Sequence, residues 1–302
     1  MSVVLMAYHN MGCIGLEVLR AHGVDVAAVF TYRDSEDENI WFDSVAELST
    51  SRGIDTFYAR EMTRQEIFER VRDYDPDVLF SFYYRDLLPR TILDIPRLGA
   101  MNLHGSLLPR YRGRCPVNWQ IINGETRSGV TLHHMVEEAD AGDIVAQEEV
   151  AVDDRETAHS LFLKLQQAAR RLLDDNIDDI VSGRSPRIAQ DHSQATVFGG
   201  RGPEDGLIDW DSPRVAVDNL VRGVTRPYPG AYTMLGDNKL IIWEAEPVDE
   251  RNIPGPEKAG HIVQYENRLY GKAGDGWLQL DDYECSDKNG KPIELSSAIT
   301  AN

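Results

Sequence analysis

The feature that most constrains this chain is the alternation of short apolar runs with helical patterns through its first third. "SVVLMAY" (Ser2–Tyr8) is an apolar run that ends in a polar loop, and "CIGLEVLRAHG" follows with Ile14, Leu16, Val18 and Leu19 at helical spacing before Gly23. "DVAAVFTY" reads as a second strand, "SVAELSTSRG" as a helix stopped at Gly53, "QEIFERVRDYD" as another helix, and "DVLFSFYY" (Asp77–Tyr84) as a buried strand. "LGAMNLHGS" supplies a further strand ending near His104, and "RETAHSLFLKLQQAARRLLDDNIDDIVSG" (Arg155–Gly183) a long amphipathic helix. Strands separated by helices pair in parallel, because a parallel connection must cross over the sheet, so the pattern predicts a doubly wound α/β sheet.

The texture changes after about Thr196. "VFGGRGPEDGLIDWDSP" is rich in Gly, Pro and acids, "VAVDNLVRGV" reads as one more helix, and the short runs "AYTML", "KLIIWEAEPV", "GHIVQYE", "RLYGKA" and "GWLQLDDYEC" follow with turns between them. Closely spaced strands of this kind predict a small antiparallel barrel or sandwich, placed from about Gly206 onward.

With 50 Asp and Glu against 31 Lys and Arg, the formal net charge is -19. Such a balance argues against a broad nucleic-acid surface, whose affinity for phosphates rests on Lys and Arg. No stretch approaches the roughly eighteen apolar residues of a membrane span, and the short apolar start has no basic region ahead of it, so a cytoplasmic protein is expected. Cys13, Cys115 and Cys285 are far apart and form no ligand or disulfide pattern, so reduced thiols and no metal are expected. The first loop, "AYHNMGCIG", offers Gly12 and Gly15 but not GxGxxG, and fits a turn with close helix packing better than a dinucleotide site.

Against this acidity, the window from Ile95 to Gly124 contains no Asp or Glu and carries Arg97, Arg110, Arg112 and Arg114. At the chain's average, such a window would hold roughly five acids. Within it, Asn102 and His104 lie two apart on a predicted strand, hence on one face, at the carboxyl end where open α/β sheets bind ligands. A carboxamide can donate to a developing oxyanion and an imidazole can move a proton near neutral pH, which suits acyl transfer to an amine. By spacing alone, such a pair is more often a satisfied polar contact than a catalytic one. The carboxylates Glu137, Glu138, Asp140 and Asp143 cluster where a strand enters a loop, which fits a solvated acidic turn. Were Asp140 to fold back beside His104, it would fix the tautomer and favour the imidazolium.

"FSFYYRDLL", "NLHGSLLPRYRGRCPVNWQIINGE", "GVTLHHMVEEADAGDIVAQ" and "VRGVTRPYPGAY" resemble the formyltransferase family that uses N10-formyltetrahydrofolate. The likeness extends to "AYHNMGCIGLEVL" and "QATVFGGRGPEDGLIDW", and so over nearly the whole chain. Within the family, the sequence is most similar to the formyltransferase domain of the bifunctional polymyxin-resistance enzyme, which serves lipid A modification by acting on UDP-4-amino-4-deoxy-L-arabinose. The resemblance implies a Rossmann-like doubly wound domain over residues 1–205 and an OB-like β-barrel over 206–302. It implies Asn102, His104 and Asp140 as the catalytic trio, with Asn102 and protonated His104 holding the oxyanion. It further implies a folate pocket of Asp86, Leu87, Leu88, Val136, Glu137, Glu138, Ala139 and Asp140, with no metal.

A nucleotide diphosphate would then explain the basic island, since "RYRGR" sets Arg110, Arg112 and Arg114 at alternate positions beside the catalytic strand. The expected partners are folate and a nucleotide-linked amino sugar, and the oligomeric state stays open. Methionyl-tRNA formylation, or formylation of another UDP-, GDP- or dTDP-linked amino sugar, is the alternative within the family. The early loop "YRDSEDENIWF", with Asp34, Glu36, Asp37 and Glu38, disfavours a tRNA.

Overall fold

The structure, a computed structural model, describes residues 1–35, 38–249, 253–255 and 258–295; Glu36 and Asp37 of the early acidic loop lie outside the described residues, as do residues 296–302 of the expected second domain. The elements in chain order begin with β1 (Ser2–Ala7), α1 (His9–Ala21), β2 (Asp25–Thr31), α2 (Val45–Ser51), β3 (Asp55–Tyr58), α3 (Arg64–Asp73), β4 (Val78–Phe82) and α4 (Arg90–Leu93). Next come β5 (Ala100–His104), β6 (Arg112–Gly113), α5 (Pro116–Ile122), β7 (Arg127–His134), β8 (Ile144–Ala151), α6 (Ala158–Val181) and β9 (Val197–Phe198). The chain ends with α7 (Arg214–Val224), β10 (Ala231–Leu235), β11 (Asn238–Val248), β12 (Ile262–Tyr265), β13 (Arg268–Ala273) and β14 (Gly276–Ser286).

Two compact units form. One comprises Met1–Pro116, Arg127–Ala151 and Leu163–Phe198; the other comprises Val117–Thr126, Val152–Phe162 and Gly199–Asn302.

The first unit is built on a seven-stranded sheet of order β3-β2-β1-β4-β5-β7-β8. The five strands from β3 to β5 run parallel, as the alternation predicts, while β7 and β8 are antiparallel additions joined by a loop instead of a helix. Strands β1 and β4 are central and covered on both faces, which is why their sequences are nearly unbroken apolar runs. The helix α1 lies so close to the sheet that a Cβ on Gly15 would meet the Phe82 ring at 2.1 Å. Gly12 and Gly15 are therefore packing residues inside α1. Capping follows the sequence: Thr63 and Glu66 close a reciprocal capping box on α3, and Ser44 caps α2.

The second unit holds a five-stranded antiparallel sheet of order β10-β11-β14-β13-β12. Its core, with Trp210, Leu240, Ile242, Leu278 and Leu280, takes in Val217, Val221 and Val224 from one face of α7. The five antiparallel strands answer to the small antiparallel barrel or sandwich expected there, and among the described residues no pairing joins β10 to β12. Among the described residues no helix is long and apolar enough to cross a membrane.

Candidate active site

Strand β5 sets the site. It pairs in parallel with β4 and antiparallel with β7, so that Asn102 stands opposite His133 and His104 opposite Thr131. Residues directly opposite share a face, so Asn102, His104, Thr131 and His133 all project to one side of the sheet. His104 and His133 are buried and Asn102 is half-buried.

The basic island then folds over this face. The Thr131 hydroxyl donates to the Ser106 carbonyl (2.6 Å) and accepts from the Leu108 N–H (3.1 Å), which anchors the start of the loop. Its far side is stitched to the segment around β9. The Tyr111 N–H donates to Thr196 Oγ1 (2.8 Å), the Arg112 N–H to the Thr196 carbonyl (2.8 Å) and the Arg114 N–H to the Phe198 carbonyl (3.0 Å). Gly113 is required there. Its φ is +97°, and a Cβ would lie 2.3 Å from the Phe198 carbonyl oxygen.

Asp140 closes the cluster from the loop after β7, with φ +56°. Its Oδ2 accepts from the Gly113 N–H at 2.8 Å and lies 3.6 Å from His104 Nδ1, while its Oδ1 accepts from Asn102 Nδ2 at 3.3 Å and lies 3.5 Å from His133 Nε2. Burial alone would raise the Asp140 pKa. The charge of His104, the bond to His133 and the Gly113 N–H outweigh it and hold the carboxyl well below the usual carboxylate range. Asp140 is thus an ionised carboxylate at neutral pH. The other nitrogen of His104, Nε2, lies 2.7 Å from the Tyr111 carbonyl. A carbonyl and a carboxylate only accept, so both ring nitrogens of His104 face acceptors.

The three arginines part company. Arg112 is 3% exposed. Its Nη2 donates to Gln190 Oε1 (2.7 Å) and faces His192 Nδ1 (3.0 Å), and its Nη1 lies 3.6 Å from Glu138 Oε1. Gln190 in turn donates to the carbonyls of Asp140 (2.8 Å) and Gly142 (2.6 Å). Arg112 therefore braces the loop that carries Asp140 through a buried glutamine. Arg110 and Arg114 are exposed, and the Arg114 guanidinium has no hydrogen bond or ion pair among the described residues. Arg97 pairs with Asp77 away from the trio.

Of the residues assigned to folate, Asp86 accepts a hydrogen bond from the Tyr32 hydroxyl at 2.8 Å, and Leu88 is buried in the core with Tyr8, Phe30 and Ile92. Leu87 and Val136 are large apolar side chains left 74% and 47% exposed. Glu137, Glu138 and Ala139 are exposed on the loop leading to Asp140. Among the described residues no group of three His, Cys, Asp or Glu side chains could hold a metal ion.

Sequence reasoning did not single out Gln190, His133 or Gly113. For His133 a signal existed, a histidine inside an apolar β-run facing Asn102 across the ladder. For Gln190 there was none, because its partners are backbone carbonyls that a sequence does not display.

Residues 10–177 match the family described as formyl transferase, and residues 202–300 match the formyl transferase C-terminal domain. Among solved structures, the chain is similar to the N-formyltransferase from Helicobacter canadensis in complex with folinic acid and dTDP-3-aminofucose (TM-score 0.71, 17% identity, covering 93% of this chain and 98% of that one). It is also similar to a 4-N formyltransferase from Francisella tularensis (TM-score 0.62, 23% identity, 77% of this chain and 91% of that one). HypX from Aquifex aeolicus in complex with tetrahydrofolic acid shares the fold over part of its length (TM-score 0.63, 17% identity, 98% of this chain and 46% of that one).

Proposed function

Because the chain belongs to the formyl transferase family, we propose that it moves a formyl group from N10-formyltetrahydrofolate to the amine of a nucleotide-linked amino sugar. The observation that carries this reading is the cluster of Asn102, His104 and Asp140 beneath a loop whose backbone touches all of its charge: Gly113 N–H on Asp140 and Tyr111 C=O on His104. The folate donor supplies the formyl carbon and departs with an added proton. The segments Asp86–Leu88 and Val136–Asp140 would hold it, and the exposed Leu87 and Val136 fit an apolar ring face.

His104 is the proton-carrying group. Its Nε2–H is held by the Tyr111 carbonyl, which can only accept, so the hydrogen is kept in place until a substrate atom takes it. Asp140, ionised beside Nδ1, orients the ring and offsets the positive charge the ring gains when it takes up a proton. Overall one C–N bond forms, another breaks, and one amine hydrogen ends on the leaving nitrogen.

UDP-4-amino-4-deoxy-L-arabinose is the proposed amine substrate. The resemblance of the catalytic segments supports it. Arg110 and Arg114 are the proposed diphosphate contacts, with Arg112 supporting them from beneath. Purified protein with N10-formyltetrahydrofolate and a panel of UDP-, GDP- and dTDP-linked amino sugars tests the assignment. The UDP-linked 4-amino sugar should be formylated with the highest kcat/KM, and transfer to none of the panel would overturn the reading. Arg114→Ala should raise the KM for that sugar by about tenfold, the scale of one lost charge-assisted contact, while leaving folate binding unchanged. A folate defect with normal sugar binding would contradict the placement of Arg114.

A further inference from the structure

Tyr111 holds a backbone conformation that its side chain disfavours. Its φ is +59°, in the left-handed region, where a Cβ crowds the following carbonyl oxygen. That conformation aims the Tyr111 carbonyl at His104 Nε2, 2.7 Å away. A carbonyl only accepts, so the bond requires a hydrogen on Nε2. Whatever keeps Tyr111 left-handed therefore also holds the ring of His104.

Two rigid peptide planes meet at the Tyr111 Cα, and their rotations about it are φ and ψ. Both planes are tied to one residue outside the loop, Thr196. In the first plane the Tyr111 N–H donates to Thr196 Oγ1 at 2.8 Å, while the Arg110 carbonyl on the opposite edge accepts from Ser106 Oγ at 2.7 Å. In the second plane the Arg112 N–H donates to the Thr196 carbonyl at 2.8 Å. That peptide is trans, so its other edge sends the Tyr111 carbonyl the opposite way, toward His104. Two residues further along, the Phe198 ring lies flat against the Tyr111 ring, with centroids 4.9 Å apart and planes 9° from parallel. Thr196 is itself exposed, so its side chain adds little to the core beyond this bond.

We propose that Thr196 is a positioning residue for His104: by fixing both peptide planes of Tyr111 it holds the carbonyl that keeps the Nε2 hydrogen and the imidazole plane in place. This deepens the formyl-transfer reading above and rests on it. The gain is one of orientation at the proton-carrying group, so it should appear in kcat and not in substrate binding.

Two measurements test the proposal. The first needs no substrate. An imidazole-selective 1H–15N spectrum, assigned by the signal lost in His104→Gln, should show a slowly exchanging hydrogen on His104 Nε2. Thr196→Val, which replaces the accepting oxygen with a methyl group, should speed that exchange about fivefold, the scale of one net hydrogen bond, and Thr196→Ser, which keeps the oxygen, should not. An Nε2 without a hydrogen, or exchange unchanged in Thr196→Val, overturns the proposal whatever the enzyme's substrate. The second is kinetic. Thr196→Val should lower kcat about fivefold with KM for both substrates changed less than about twofold, and Thr196→Ser should recover most of the loss. In a His104→Ala background Thr196→Val should have almost no further effect. Equal losses in the two Thr196 variants, or a full loss in the His104→Ala background, would show a merely structural threonine. If instead His104→Ala itself leaves kcat intact, the formyl-transfer assignment of the trio fails, and the hold of Thr196 on the ring is then decided by the exchange measurement alone.

Discussion

His104→Ala is expected to lower kcat for formyl transfer by about a hundredfold or more, the loss that follows when a positioned general acid is removed, while the folded protein and both KM values stay near normal. The ring sits between two acceptors, Tyr111 carbonyl and Asp140 carboxylate, and contributes little to the hydrophobic core, so its truncation disturbs chemistry more than folding. Asp140→Ala should cost a similar factor for a different reason. It removes the carboxylate beside His104 Nδ1 and releases the Gly113 N–H, so both the ring and the basic island lose their common anchor. Asn102→Ala should match them. Because Asp140 touches both Asn102 and His104, any double variant should fall well short of the product of the single losses. Circular dichroism and thermal unfolding establish that each variant is folded, and single-turnover kinetics separates chemistry from release. Near-normal turnover in His104→Ala would remove the histidine from the mechanism.

How much of this site could be read from the sequence is a question of which interactions are local. Period-two spacing on β5 was enough to place Asn102 and His104 on one face, because a strand's alternation is fixed by its backbone. The same rule failed for the arginines. Arg110, Arg112 and Arg114 occupy alternate positions, yet Arg112 points into the protein and the other two are exposed. The segment pairs as a strand only at Arg112–Gly113. Tyr111 and Gly113, the residues that separate the three arginines, have φ of +59° and +97°, and these left-handed conformations break the alternation. The return of Asp140 to His104 was likewise beyond local rules, since it depends on Gln190, fifty residues further on, gripping the loop's carbonyls. In the sheet, the runs of buried apolar residues revealed the parallel half, whereas β8, an edge strand that alternates half-buried with exposed residues from Ala146 onward, gave a weaker signal. The few segments that matched family motifs carried what periodicity could not.

Formylation of a nucleotide-linked amino sugar should exceed that of charged initiator tRNA by at least about a hundredfold in kcat/KM when the two are measured side by side with the same folate donor. The reason is the distribution of charge. A tRNA presents a line of phosphates, and holding it requires several Lys or Arg spread over one surface, each contributing to an affinity that falls steeply with salt. A diphosphate needs only a local clamp, which one uncommitted guanidinium with a second arginine nearby can supply. The exposed Arg110 and Arg114 suit the second arrangement. At net charge -19 it repels an extended polyanion over the whole surface. The sheet of the second unit sharpens the point: Glu244 on β11 stands directly opposite Asp282 on β14, both exposed, with Glu246 and Glu284 exposed close by. Like charges set opposite one another destabilise a sheet slightly, and here a single cation, Arg226, bridges Asp282 and Glu284 at 2.6 Å each. Acids that already occupy Arg226 leave that guanidinium poorly placed to meet a phosphate backbone. The salt dependence is the decisive readout. Over 50 to 200 mM salt, kcat/KM for the amino sugar should change only a few-fold, as one local clamp implies, whereas a tRNA substrate would lose orders of magnitude across the same range. Efficient, steeply salt-dependent formylation of methionyl-tRNA, with no transfer to any amino sugar, would reverse the assignment and place the substrate surface elsewhere on the molecule.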